Sequence, residues 1–146
     1  MNMKSVVFAL LLSYISMVMA TDWVQVSKTN ENGTRFYVDV DSINGDESLR
    51  KAWVLEDRKS SKTVKVNGKS IKYMSYKSLR VVYCDQLISS HQRGVFYSKN
   101  LGRGKDLYSY SMSFDDLEFT ESVPQTMGVA LNEFICSSDK QVKKYI

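Results

Sequence analysis

Residues able to do chemistry are scarce in this chain. It has one histidine, His91, and two cysteines, Cys84 and Cys136, among 146 residues. A Ser–His–Asp site would rest on His91 alone, with a nucleophile and an orienting acid brought to it by the fold. His91 lies between Ser90 and Gln92 in a strand-like stretch, and no Gly-x-Ser-x-Gly elbow accompanies it. A zinc finger lacks its four ligands. Asp115, Asp116, Glu118 and Glu121 crowd together around Phe114, Leu117 and Phe119. Two such carboxylates can act as acid and base in glycoside hydrolysis. The simpler reading is a solvated loop whose charge suits the positive end of the helix expected after it. The spacing is not that of a calcium loop. Gly102-Arg103-Gly104 lacks the Lys-Ser/Thr ending of a phosphate cradle and reads as a turn. Asn32-Gly33-Thr34 matches a glycosylation acceptor, which matters only in a eukaryotic secretory host. No enzyme, cofactor or metal site is expected.

Charge carries the clearest signal. Eight cations fall between Arg58 and Arg80: Arg58, Lys59, Lys62, Lys65, Lys69, Lys72, Lys77 and Arg80. No Asp or Glu interrupts them, and Tyr73 and Tyr76 lie among them. Asn67-Gly68 is the strongest short hairpin signal, because both residues tolerate positive φ. Turned there, the chain would bring Lys65 and Lys69 close and project a basic ribbon from a sheet. Such a ribbon attracts sulfated glycans, acidic protein segments, anionic lipid head groups or nucleic acid, the last being the least expected. Lysines on an edge hairpin also discourage strand-to-strand aggregation. A basic hairpin and an acidic loop could also meet between two copies, which makes a homodimer a candidate assembly.

The elements that must position these residues follow a secretory address. Lys4 gives a positive start, residues 6–18 are almost wholly apolar, and Val18-Met19-Ala20 fits a cleavage site. The apolar stretch is shorter than the roughly 20 residues of a membrane span. Residues 1–20 therefore read as a signal peptide, and 21–146 as one mature domain without a membrane anchor. No cysteine follows the apolar stretch to take a lipid. An oxidising compartment favours a Cys84–Cys136 disulfide. Closing that loop is worth roughly 4 kcal/mol in the chain-entropy account.

The mature chain alternates as strands do over 22–28, 35–43, 49–59 and 63–66. Further strand-like stretches cover 69–84, 86–99, with Gly94 as a bulge or bend, and 105–112. The period then changes. Val123, Met127, Ala130, Leu131 and Phe134 fall at helical spacing, and Ser122 with Gln125 offers a capping box around Pro124. A helix over 124–136 is predicted. The fold class is α+β: an antiparallel sheet of about six strands with one C-terminal helix on a face and one disulfide. Tyr73, Tyr76, Tyr83, Tyr97, Tyr108 and Tyr110 all fall in strands. They can pack under the helix or form a contact surface.

Several short motifs occur in a telling order. Trp23 opens the first strand, and Tyr37-Val38-Asp39 leads to Asp41-Ser42-Ile43. Trp53 follows, then Tyr73-Met74-Ser75, Val82-Tyr83-Cys84-Asp85, Tyr97 and Gly102-Arg103-Gly104. Val123-Pro124 starts the segment ending in Phe134-Ile135-Cys136. This order resembles the bacterial surface-adhesin protein E family over nearly all of the mature chain. The resemblance implies a small antiparallel sheet packed by a C-terminal helix, with Cys84 tied to the end of that helix. It also implies binding of host extracellular-matrix and plasma proteins, and dimerisation. The expected function is an exported, non-enzymatic binding protein at the surface or in the periplasm. The alternative is a periplasmic structural or assembly factor that binds an envelope protein through a sheet edge or acts as a homodimer.

Overall fold

The computed structural model describes residues 21–26 and 32–137. The signal-peptide expectation for 1–20 lies outside the described residues. Among the described residues there are eight strands: β1 (Trp23–Gln25), β2 (Arg35–Asp39), β3 (Asn44–Gly45), β4 (Leu49–Val66), β5 (Lys69–Tyr83), β6 (Ile88–Tyr97), β7 (Asp106–Ser111) and β8 (Thr120–Glu121). A single α-helix among those residues, α1 (Met127–Ser137), follows them. The main sheet runs β1-β2-β4-β5-β6-β7, with β3 beside β4 and β8 beside β6. Every pairing is antiparallel.

The β4–β5 hairpin dominates the sheet. Val66 pairs with Lys69 across a two-residue loop in which Asn67 and Gly68 have φ of 48° and 77°. Both angles suit a turn whose twist matches that of the strands. The stretches 49–59 and 63–66 are one strand, not two. Pairing slips between Asp57↔Ser75 and Lys62↔Tyr73, so residues 58–61 bulge opposite Met74. Lys65 pairs with Ser70, and Lys69 with Val66. Opposite residues share a face and neighbours alternate. Lys65 and Lys69 therefore stand on opposite faces instead of meeting across the turn.

The hairpin does not project as a straight ribbon. β5 pairs with β6 only from Ser75 onward, so the distal hairpin runs past the end of β6. It curls back until Asn67 Nδ2 donates to the Tyr108 hydroxyl of β7 at 2.8 Å. Inside the curl Ile71, Tyr73 and Phe96 are buried, with Val64, Val66, Tyr76, Tyr108 and Tyr110 against them. Tyr76 stacks on Phe96 at 4.3 Å, and the Tyr76 and Tyr110 hydroxyls are hydrogen-bonded. Gly94 makes this closure feasible: a Cβ there would lie 2.4 Å from the Tyr110 ring and 2.7 Å from that of Tyr76. Gly94 is paired with Ser78 and Tyr110, and it is not the bulge. The extra residue of β6 is Gln92, between Arg93 and His91.

The other core lies under α1. Leu131 and Ile135 pack on Val38, Ile43, Ala52, Val54 and Val82, all buried. α1 has 11 residues, a length that owes its stability to packing. It begins later than a start at Pro124 would have it. Gln125 takes a left-handed φ of 62°, which no helical turn accommodates, and the Thr126 carbonyl accepts the first helical bond from Ala130 N at 3.2 Å. The Ser122/Gln125 capping box does not form. Cys84 and Cys136 are bonded, with Cα atoms 5.6 Å apart, tying the end of β5 to the last turn of α1.

Candidate functional site

The ten candidate residues of the 58–80 segment fall into two groups in space. Lys59, Lys62, Lys65, Lys69 and Lys72 are exposed on the bulge and distal hairpin. The others are built into the fold. Tyr73 is 3 % exposed and donates to Glu56 Oε1 at 3.1 Å. Burial and the neighbouring Glu56 carboxylate push its phenol pKa well above the usual value. Burial and contact with Tyr110 do the same for Tyr76. Lys77 lies over the Trp23 and Tyr97 rings at 5.7 and 5.5 Å. Arg58 pairs with Glu56 at 2.8 Å. The aromatic residues thus brace the arm from within, while the lysines face solvent.

Arg80 is buried beneath α1. Its Nε donates to Asn132 Oδ1 at 2.8 Å, Nη2 to the Gly128 carbonyl at 3.3 Å, and Nη1 reaches His91 Nε2 at 3.2 Å. A guanidinium only donates, so His91 Nε2 must accept. The imidazole proton then sits on Nδ1 and is donated to Ser78 Oγ, 3.0 Å away. Burial first, and Arg80 second, hold the His91 pKa down to about 4. Burial lowers that of Arg80 to about 10. Ser78 and His91 are therefore arranged to hold a helix-docking arginine. An activated nucleophile would need the imidazole facing the other way, accepting from the hydroxyl.

The root of the arm is organised by Asp57, which is fully buried. Its carboxylate accepts from Arg35 Nη2 at 2.6 Å, Asn100 Nδ2 at 2.9 Å and the Leu101 amide at 2.8 Å. Ser75, opposite Asp57, accepts from the Gly102 amide at 2.9 Å and donates to the Lys99 carbonyl. These bonds dock the 3-10 turn Asn100–Gly102 against β4 and β5. Lys99, Arg103 and Lys105, all exposed, flank that turn. A recess of about 410 Å³ opens here, lined by Gly33, Arg35, Arg58, Lys59 and Asn100. Arg35, Asn100 and the basic turn were not among the sequence candidates. The Lys-rich flanks of Gly102-Arg103-Gly104 are the signal that would have found the turn. Nothing local marks Arg35.

The acidic segment sits at the other end of the sheet. Asp115, Asp116, Glu118 and Glu121 are exposed, and β8 pairs with Ile88 and Ser89 at the start of β6. β6 reaches the basic turn at its far end, a span of about 30 Å at 3.3 Å per residue. Ser113 Oγ accepts from the Asp115 amide at 3.2 Å, and Phe119 packs on Tyr83 at 4.7 Å. The segment is thus a folded connection. Among the described residues no cluster of His, Cys, Asp and Glu could hold a metal ion.

Comparison with known proteins fits this architecture. Structures of Haemophilus influenzae protein E superpose with a TM-score of 0.53. Its selenomethionine form shares 17 % identity, over 81 % of this chain and 91 % of that one. Crystal form II shares 18 %, over 80 % and 91 %, with a TM-score of 0.53. Protein E from non-typeable H. influenzae shares 17 %, over 86 % and 82 %, also at 0.53. At this identity the likeness speaks to the fold. No curated protein matches the sequence. The family model described as surface-adhesin protein E matches residues 23–137, from the first residue of β1 to the last of α1. The chain belongs to the surface-adhesin protein E family.

Proposed function

We propose that the protein is an exported, non-enzymatic binding protein that captures acidic partners on its basic arm. The partner classes are host extracellular-matrix proteins with acidic segments and sulfated glycans. One observation carries this reading. Lys59, Lys62, Lys65, Lys69 and Lys72 are all exposed on a single arm, and no carboxylate interrupts the chain from Arg58 to Cys84. The aromatic cluster inside the curl holds that charge in place, and preorganised charge of one sign draws partners of the other at long range. Cleavage after Ala20 would deliver the chain to the cell envelope, at the surface or in the periplasm. Membership of an adhesin family supports the surface. Heparin chromatography tests the reading. Lys65→Gln, Lys69→Gln and Lys72→Gln together should lower the salt needed for elution, and unchanged elution contradicts it.

A second reading has its own observation. Among the described residues β7 ends the strand order, and its outer edge, residues 106–111, carries neither lysine nor proline. Such an edge is open to strand addition by an envelope protein or a second copy. Light scattering of the purified protein, with Ser109→Pro as the disrupting variant, separates this from binding through the arm.

A further inference from the structure

The recess at the root of the arm gathers three cations. Its cations come from distant parts of the chain: Arg35 from β2, Arg58 and Lys59 from the bulge of β4. Arg35 spends Nη2 on Asp57, and Arg58 spends Nη1 on Glu56 and Nε on the Ser60 carbonyl. Among the described residues, Nε and Nη1 of Arg35, Nη2 of Arg58 and Nζ of Lys59 make no hydrogen bond or ion pair. Gly33 shapes the wall. Its φ is +71°, and a Cβ there would lie 2.7 Å from the Lys59 Cβ.

Asn100 narrows the ligand class. Its Nδ2 donates both to Asp57 Oδ1 and to the Arg58 carbonyl, at 2.9 and 2.6 Å. Both partners only accept, so the orientation of the amide is fixed and its oxygen is left as an acceptor. A bare anion has nothing to offer that oxygen, nor has an ionised carboxylate. A sugar hydroxyl does. Among the described residues the lining holds no aromatic or aliphatic side chain to receive an apolar group of a peptide. We propose that the recess binds one sulfated sugar unit, its sulfate on Arg35, Arg58 and Lys59 and a hydroxyl on Asn100. This deepens the polyanion reading of the arm and rests on it. The unit in the recess fixes the register of a longer chain, and Lys65 and Lys72, which share one face of the hairpin, then follow its remaining charge.

Calorimetric titration of the full chain tests the site with a short probe, a sulfated heparin disaccharide. Lys59→Glu is the main variant, because Lys59 is exposed and the substitution leaves the hydrogen bonds of Asp57 intact. Charge-assisted contacts of this kind predict a loss of about tenfold or more in disaccharide affinity. The unsulfated disaccharide, inorganic sulfate and a hexaglutamate peptide should each bind at least tenfold more weakly than the sulfated sugar. The triple Lys65/Lys69/Lys72→Gln variant should keep disaccharide affinity while its heparin elution moves to lower salt. No disaccharide binding, equal affinity in Lys59→Glu, or equal binding of any of the three control ligands overturns the proposal. If heparin retention persists under those results, the arm reading stands without the recess. Absence of retention by the unmodified protein brings down both.

Discussion

At the residue scale the most informative group is His91. It accepts from a buried guanidinium with no carboxylate partner among the described residues: Arg80 is held by Asn132, the Gly128 carbonyl and His91 itself. Protonation would set two cations 3.2 Å apart. The pKa of His91 lies at about 4 in the folded chain, against an ordinary 6.5. Between those values the unfolded chain binds a proton that the folded chain refuses. The stability His91 contributes is therefore complete above pH 6.5 and is lost as pH falls toward 4. The difference amounts to about 3 kcal/mol. Urea unfolding at pH 7 and pH 4.5 should show this loss, and His91→Gln should reduce it. An equal loss in the variant would assign the pH effect to other groups. Gly94 makes the second prediction at this scale. Gly94→Ala drives a methyl into the Tyr76 and Tyr110 rings and should cost about 1–3 kcal/mol in the same assay.

At the element scale the sequence showed some features and hid others for physical reasons. The Asn67-Gly68 turn, the alternating strands and the closing helix are written in local periodicity, so they were legible. The start of α1 was not. The capping signal of Ser122 and Gln125 competes with packing, and Gln125 goes left-handed while Ser122 Oγ comes within 3.5 Å of Asn132 Nδ2. The arm's charge was legible, because it is one continuous run. The recess was hidden, because Asp57 and Ser75 bind a turn that begins 43 residues after Asp57. Only the register of β4 and β5 brings them together. The buried role of Arg80 was likewise hidden, since its partners lie on α1 and β6. For the helix itself, the disulfide closes a separation of 52 residues. Reduction should cost roughly 4 kcal/mol, read as a lower unfolding midpoint with dithiothreitol. Leu131→Ala should cost about 2–5 kcal/mol with the disulfide intact. A reduced protein with an unchanged midpoint would show that packing alone docks α1.

At the scale of the whole molecule, the described residues sort their charge along the sheet. The hairpin arm and the turn after β6 carry exposed lysines and arginines, while the segment from Phe114 to Glu121 carries exposed carboxylates at the other end. A polyanion approaching such a molecule is steered to one end and repelled from the other. Screening weakens that steering, since the Debye length falls from about 10 Å at 0.1 M salt to about 3 Å at 1 M. An adhesin-family chain that works this way needs its basic end free and its acidic end turned away from the partner. Protease shaving of intact cells should therefore remove the arm if the protein stands at the surface, and spare it if the protein is periplasmic. The proposed function rests on binding of polyanions by the exposed lysines of the arm. The measurement that tests it most directly is heparin affinity across a series of salt concentrations, for the unmodified protein and for the triple Lys65/Lys69/Lys72→Gln variant. Affinity should fall steeply with salt in the first and show a weaker, flatter dependence in the second. Identical curves for the two proteins, or no binding by the unmodified chain at low salt, would contradict it.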